Sequence, residues 1–264
     1  MNPQAAAIAE PAEAEGERPA PSPVRVVALG DLHWGEHLDE HWLRDLAAEA
    51  AAAADVLAIL GDLTTHGQPE QMDQVGRAFA DADTPVLAVL GNHDCESHRM
   101  DEAKEILAAY GVKVLDGESV IVDGLGFAGT KGFGGGFGAH ALATFGEAES
   151  KAFVDAAIAE ELKLERALAA LATDLKVVLL HYSPTAETMG EEPQPIWPFL
   201  GSSLLLRPIE AHHAAVVFHG HAHLGAAEAA TPAGIPVFNV ALPVLARAGM
   251  RFRVWDARPG VTTT

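Results

Sequence analysis

Short apolar runs alternate with amphipathic stretches in the first part of the chain. Each apolar run ends in a polar turn that contains glycine, which is typical of a buried strand. The stretches between the runs have apolar residues at helical spacing, and Leu38, Trp42 and Leu46 form one face of the first of them. Alternating strands and helices favour a layered α/β fold. The predicted strands are residues 24–29, 56–60 and 86–90, and the predicted helices are residues 38–54 and 70–82.

The rest of the chain adds shorter strand patterns and one long helix. Because there is no internal repeat and no second linker, we expect one folded domain over residues 24–256. Residues 1–23 are rich in Ala, Pro and Glu and too poor in large apolar side chains to offset the entropy of ordering, so we expect a disordered tail there and a short tail at 257–264. The later predicted strands are residues 112–115, 120–122, 127–129, 176–180, 215–218 and 235–240, and the predicted long helix is residues 147–171.

Glycine dominates the segment that follows the predicted strand at 127–129. Residues 124–129 fit the pattern Gly-x-Gly-x-x-Gly, but the glycine-rich residues 132–138 that come next cannot open a helix, as dinucleotide binding requires. This departure disfavours a dinucleotide fold, and we predict a mobile loop with few anchors. The favoured interpretation is a loop with a purely structural role. The alternative is a flap that covers a substrate.

Composition constrains the partners. The chain has 264 residues, 49% of them hydrophobic, and a formal net charge of −20. Because non-specific affinity for nucleic acids depends on Lys and Arg, and anionic membrane surfaces repel negative charge, we expect neither a nucleic-acid polymer nor a membrane as partner. Cys95 is the single cysteine, which fits a reducing compartment. Since there is also no apolar run of about 18 residues, we expect a cytoplasmic protein.

Asp, Asn and His residues that could bind a metal follow five of the predicted strands. Ligand sites in open α/β sheets gather at the carboxyl ends of strands, and an x between two ligands places both on the same side of an extended chain. Imidazole, carboxylate and amide groups together suit Mn, Fe, Zn or Co, so the pattern predicts a metal centre. The blocks are Asp31-Leu32-His33, Gly61-Asp62, Gly91-Asn92-His93-Asp94, His181 and Gly220-His221-Ala222-His223.

These five blocks, in this order from residue 31 to residue 223, resemble the pattern of the calcineurin-like metallophosphoesterases. The resemblance implies a four-layer α-β-β-α sandwich with two mixed β-sheets. It also implies two divalent or mixed-valence metal ions (Mn, Fe, Zn or Co), with Asp62 as the bridging carboxylate. The implied ligands are Asp31, His33, Asp62 and His223 for one ion, and Asp62, Asn92, His181 and His221 for the other.

The resemblance further implies that a hydroxide bridging the two ions attacks phosphorus. His93 would protonate or hydrogen-bond the leaving oxygen, and Asp94 would fix the orientation of His93. The motif Gly-Asp-Leu-Thr at 61–64 is similar to that of bacterial cyclic-nucleotide phosphodiesterases. The residues His-Tyr-Ser-Pro at 181–184, in contrast, depart from the His-His-Pro motif of those enzymes. We therefore expect hydrolysis of a small phosphoester, with a phosphodiester favoured over a monoester. A non-catalytic metal-binding interaction module is the rival from another class.

Other histidines and the cysteine have competing interpretations. His37-Leu-Asp-Glu-His41 fits an inverted zinc-peptidase pattern, but an exposed helix start is the favoured interpretation. We expect His66 to be a turn residue, His219 to face the core and Cys95 to be a packed thiol rather than a nucleophile. The physiological substrate, the native metal pair and the oligomeric state do not follow from the sequence.

Overall fold

The computed structural model describes residues 23–35 and 39–258. Residues 1–22 and 259–264, which make up nearly all of the two predicted tails, lie outside the described residues, as does His37 of the zinc-peptidase pattern. In chain order the elements are β1 (Val24–Leu29), α1 (Glu40–Ala53), β2 (Val56–Leu60), α2 (Pro69–Phe79), β3 (Val86–Val89), α3 (Met100–Ala109), β4 (Val112–Val114), β5 (Glu118–Val122), β6 (Leu125–Thr130), α4 (Ala148–Ala169), β7 (Lys176–Leu180), α5 (Trp197–Leu200), α6 (Leu206–Ala211), β8 (Val216–His219), β9 (Glu228–Ala230), β10 (Pro236–Asn239), α7 (Leu242–Arg247) and β11 (Arg253–Ala257).

The strands form two mixed sheets, as the resemblance implies. The first sheet has the order β11-β1-β2-β3-β4, and the second has the order β5-β6-β7-β8-β10-β9. The inner strands of both sheets are parallel, whereas β11, β5 and β9 pair antiparallel at three of the four edges. Parallel pairing brings the carboxyl ends of β1, β2 and β3 to one edge of the first sheet.

The two sheets pack face to face between two layers of helices. Val177 and Leu179 of β7 belong to the same apolar cluster as β1, β2 and β3, so they point towards the first sheet. Val178 and Leu180 alternate with them and pack on α4 through Leu168. Helices α1, α2 and α3 contribute to the cluster on the other side of the first sheet. The predicted four-layer sandwich is therefore confirmed, and among the described residues no helix has the length and apolarity to cross a membrane.

The buried face of α1 differs from the predicted one. Asp39 caps the helix by accepting a hydrogen bond from the backbone N–H of His41 at 2.9 Å. The helix turns Leu43, Leu46 and its alanines at 47 and 50 towards the sheet, at the i, i+3, i+4, i+7 spacing of one face. Trp42 is 37% exposed, so its predicted place on the buried face is wrong. A large apolar side chain in the sequence was not sufficient evidence of burial.

The glycine-rich segment at 132–138 is packed and anchored, so the predicted loop with few anchors is wrong. The N–H of Gly135 donates to Pro198 O at 2.7 Å, and the N–H of Gly136 donates to Gly201 O at 2.9 Å. A Cβ on Gly134 would lie only 2.4 Å from Pro198 O, so this backbone approach requires glycine. Gly134 and Gly135 therefore allow close packing against residues 198–202.

Candidate metal centre

The predicted ligands lie at the carboxyl ends of strands from both sheets. Backbone hydrogen bonds tie the first two loops together, because the N–H of Asp31 donates to Gly61 O at 2.9 Å and the N–H of His33 donates to Asp62 O at 2.8 Å. The ligands come from the loops as follows: Asp31 and His33 after β1, Asp62 after β2, Asn92 after β3, His181 after β7, and His221 and His223 after β8.

Four of these residues have a backbone conformation that is uncommon for any residue with a side chain. Their φ angles are positive, at 58° for Asp31, 44° for His33, 46° for Asp62 and 69° for His221. Such angles cost free energy and persist only where the surrounding structure fixes them, and they cluster at functional sites. The loops thus hold these side chains in place at an energetic cost.

Two glycines make room for the central carboxylates. A Cβ on Gly91 would lie 2.0 Å from Asp62 Oδ1, and a Cβ on Gly220 would lie 2.2 Å from Asp31 Oδ2. Both distances are far below van der Waals contact, so a side chain at either glycine would displace the carboxylate. The glycines of the Gly-Asn-His-Asp and Gly-His-x-His blocks are therefore required by the packing around the site.

The first group of donors contains Asp31, His33 and His223. Their potential ligand atoms all lie within 4.8 Å of one another. His223 Nε2 lies 2.9 Å from Asp31 Oδ1, and the Nε2 atoms of His33 and His223 are 3.4 Å apart. Two imidazole nitrogens and a carboxylate oxygen that converge in this way match the donors that divalent transition metals prefer.

The second group contains Asp62, His181 and His221, again within 4.8 Å of one another. His181 Nε2 lies 3.4 Å from Asp62 Oδ2 and 3.0 Å from Asn92 Oδ1, so the amide oxygen also faces this group. Asp62 connects the two groups, because its Oδ2 is 3.7 Å from His33 Nε2. A third overlapping group of His33, Asp62 and His93 brings His93 to the same centre.

Backbone carbonyls select the ring nitrogen that each of three histidines presents. His181 Nδ1 lies 2.9 Å from Leu60 O, and His93 Nδ1 lies 2.8 Å from Thr65 O, so both rings present Nε2. His221 Nε2 lies 3.1 Å from Phe199 O, so this ring presents Nδ1. A hydrogen bond at the far nitrogen is the usual way in which proteins orient a metal-binding imidazole.

Comparison with known proteins agrees with this geometry. The family model described as "Calcineurin-like phosphoesterase" matches residues 24–225, which is most of the chain. The chain belongs to the calcineurin-like phosphoesterase family. No curated protein sequence gives a significant match to this phosphoesterase.

Two solved structures illustrate the similarity of fold. TT1561 of Thermus thermophilus has a TM-score of 0.55 and 17% identity, with 89% of this chain and 99% of that chain covered. GAP50, described as the anchor in the inner membrane complex of Plasmodium, has a TM-score of 0.53 and 13% identity, with 85% of this chain and 73% of that chain covered. At these identities the similarity establishes the fold of the phosphoesterase and nothing about its substrate.

The predicted partnership of His93 and Asp94 is not formed. The ring of His93 faces the Thr65 carbonyl instead. Asp94 is fully buried and accepts hydrogen bonds from groups other than His93. Asp94 accepts hydrogen bonds from the N–H groups of Leu63, Thr64 and Gly91 at 3.1, 2.9 and 2.9 Å. It also accepts from the Thr64 hydroxyl at 2.8 Å. Asp94 therefore joins the loop after β2 to the loop after β3, and the expectation that it orients His93 is wrong.

The electrostatics of the centre favour binding of a positive charge. Burial lowers the pKa of His181, but Asp62, its hydrogen bond and Asp31 outweigh that effect and raise this pKa to about 9. Burial likewise opposes ionisation of Asp62, yet His181 and the N–H of His93 hold the pKa of Asp62 below its usual range. Burial lowers the pKa of His221 to about 4, which leaves it neutral and able to bind a metal. The residues fit a metal centre, in which Asp62 and His181 would bind a cation once His181 has lost its proton.

The other residues singled out in the sequence lie away from this chemistry. His66 Nδ1 lies 3.0 Å from Glu96 Oε2 at the surface, and His219 is buried with its Nε2 3.0 Å from Thr188 Oγ1. Burial raises the pKa of the Cys95 thiol to about 11, so it is not an activated nucleophile. The carbonyls of Thr65 and Phe199 were not predicted, because every residue carries a carbonyl and nothing in the sequence marks these two.

Proposed function

We propose that this phosphoesterase is a two-metal hydrolase of small phosphoesters, with phosphodiesters as its preferred substrates. The observation that carries the proposal is the pair of donor groups that meet at Asp62. A shared carboxylate between two cations is the arrangement that stabilises both the attacking and the leaving oxygen of an in-line displacement. A module that only binds other proteins has no need for such a centre.

The proposed ligand sets follow the two groups. Asp31, His33, Asp62 and His223 would hold one cation, and Asp62, Asn92, His181 and His221 the other, with Mn, Fe, Zn or Co as candidates. When bound, the cations would supply Lewis acidity and positive charge to a phosphoryl group. The chain itself contributes two carboxylates and four imidazoles, and backbone carbonyls orient the imidazoles of His181 and His221 in advance.

His93 is the proposed general acid. Its Nδ1–H donates to the Thr65 carbonyl, so Nε2 is the atom that faces the centre. A proton on Nε2 would pass to the leaving oxygen as its bond to phosphorus breaks. The edge-on contact of the rings of His93 and His33, whose centroids are 4.7 Å apart, supports this placement beside the proposed ligands.

An apolar groove near the centre supports a preference for diesters. It includes Phe199, whose carbonyl contacts His221, and is lined by Leu142, Phe145 and Phe153, with Glu147 and Glu149 at its edge. The side chains of Phe145 and Phe199 are 83% and 59% exposed. A phosphodiester carries two organic groups, and this groove offers a surface for the one that does not leave. The net charge of −20 still disfavours long polyanions.

Hydrolysis of bis(p-nitrophenyl) phosphate and p-nitrophenyl phosphate by the purified protein, with and without Mn²⁺, tests the proposal. We expect Mn²⁺-dependent hydrolysis of both esters, with the higher kcat/KM for the diester. Asp62→Asn should abolish the rate, and Asp101→Asn, an exposed aspartate on α3, should retain it. A protein that holds two metal ions per chain and hydrolyses neither ester would be a binding module instead.

A further inference from the structure

Tyr182 directly follows the proposed ligand His181 and packs against the metal centre. Only 6% of this residue is exposed. Its ring centroid lies 4.4 Å from that of His221 and 5.5 Å from that of His181. Tyr182 therefore packs against two proposed ligands of the same cation, whose own rings are 4.8 Å apart, at the position where the sequence departs from the His-His-Pro pattern.

The Tyr182 hydroxyl has no hydrogen-bond partner among the described residues. Every fully buried side-chain nitrogen and oxygen atom in those residues does have a partner. The hydroxyl therefore reaches accessible space, although the ring that carries it is enclosed. A polar group on an otherwise buried side chain needs a partner, and that partner has to come from solvent or from a bound molecule.

Lys131 brings a positive charge to the same place. Its Nζ lies 5.0 Å from the ring centroid of Tyr182 and 4.9 Å from that of Phe133, so the ammonium rests on both aromatic faces. Within residues 23–35 and 39–258 it forms no ion pair, and it donates one hydrogen bond, to Gly132 O at 2.9 Å. The Lys131 carbonyl accepts from the N–H groups of His181 and Tyr182, both at 3.0 Å, which fixes this backbone next to the centre.

We propose that the Tyr182 hydroxyl and the Lys131 ammonium bind a non-bridging phosphoryl oxygen of the substrate beside the cation held by His181 and His221. This assignment rests on the proposed function and adds two substrate-binding residues to it. The hydroxyl donates a hydrogen bond to the anionic oxygen, and the Lys131 ammonium over the Tyr182 ring places a positive charge beside the same oxygen. No bond is made or broken by either residue, so both act on affinity for the phosphoryl group.

Tyr182→Phe tests the assignment with the smallest change, because it removes one oxygen from an otherwise unchanged ring. In the Mn²⁺-loaded protein we expect KM for bis(p-nitrophenyl) phosphate and the Kd for inorganic phosphate to rise about tenfold, the effect of losing one hydrogen bond to a charged group. Metal content should not change. Lys131→Met should weaken phosphate binding in the same direction, and the double variant should lose less than the product of the two effects, because both residues hold one oxygen.

Tyr110→Phe is the matched control, since the chain has two tyrosines. The Tyr110 hydroxyl donates to Asp73 Oδ1 at 2.6 Å on α2, so its loss should leave phosphate affinity unchanged. Titration calorimetry with inorganic phosphate keeps this test separate from turnover. Failure of the wild type to hydrolyse any ester would refute the proposed function alone. Unchanged phosphate affinity in Tyr182→Phe would overturn the present assignment, whether or not the wild type is active.

Discussion

His93 and Asp94 are neighbours in the sequence but serve different parts of the structure. His93 presents Nε2 to the metal centre, whereas Asp94 accepts four hydrogen bonds from two loops. Adjacent side chains leave the backbone in different directions, so sequence proximity was a poor guide to partnership. In the proposed mechanism His93 therefore carries the proton transfer, whereas Asp94 holds the two loops together.

Replacement of His93 separates its proposed role from that of a ligand. His93→Asn should lower kcat for the diester about 100-fold or more, as loss of a general acid does, and should leave metal content unchanged. His66→Asn, an exposed histidine paired with Glu96, is the control and should keep wild-type kcat. Rate assays together with metal analysis of the same samples check this. Loss of metal from His93→Asn would instead make His93 a ligand, and an unchanged kcat would remove it from the mechanism.

Metal binding should release protons, because His181 has a pKa of about 9 in the metal-free protein. That pKa is raised, so His181 carries a proton at pH 7 that a cation has to displace. Affinity for Mn²⁺ should therefore increase with pH up to about 9. Calorimetry at pH 7 in two buffers with different ionisation enthalpies should report release of about one proton from His181. Mn²⁺ affinity that does not vary with pH would contradict the pairing of His181 with Asp62.

The loops after the parallel strands determine the geometry of the centre. The β1, β2 and β7 bounds follow directly from the sequence, because strands buried on both faces have nearly continuous apolar runs. The edge strands β9 and β11 were not predicted, since their residues are partly exposed and carry no such run. The ligand loops were predicted for the same reason as the inner strands, because their polar residues begin where the apolar runs end.

Gly91→Ala tests whether the loop after β3 requires its glycine. The added Cβ would lie 2.0 Å from Asp62 Oδ1 and 2.2 Å from Asp62 N, so the central carboxylate has to move. We expect Mn²⁺ affinity to fall about 10–100-fold, as when residues that support a ligand are changed. Gly124→Ala is the control, because its φ of +80° strains the backbone of an alanine while the added Cβ contacts nothing within 4 Å. Equal Mn²⁺ affinities in the two variants would show that the loop adapts.

At the scale of the whole molecule, two sheets from different parts of the chain contribute to one centre. The first sheet supplies Asp31, His33, Asp62 and Asn92 from its loops, and the second supplies the remaining histidines. The order of the blocks and their resemblance to one family were sufficient to predict this convergence. The contacts that orient the histidines could not be predicted, because they use backbone carbonyls that come close only after folding.

The negative net charge of the chain bears on the size of the phosphate-containing substrate. A net charge of −20 disfavours long polyanions, while a centre that gathers cations accepts a single phosphoryl group. Lys131 and Tyr182 are the two proposed donors to a non-bridging phosphoryl oxygen. We therefore propose a site for small phosphoesters in a protein whose net charge disfavours binding of nucleic acids.

The central claim is that two cations share Asp62 and act together. Its most direct test is a titration of the metal-free protein with Mn²⁺, in which bound metal and the rate of bis(p-nitrophenyl) phosphate hydrolysis are measured on the same samples. We predict that the rate stays low until the second ion binds and levels off at two ions per chain, with no rate at any Mn²⁺ concentration in Asp62→Asn. A rate that levels off at one ion per chain, or no hydrolysis with two ions bound, would contradict the account.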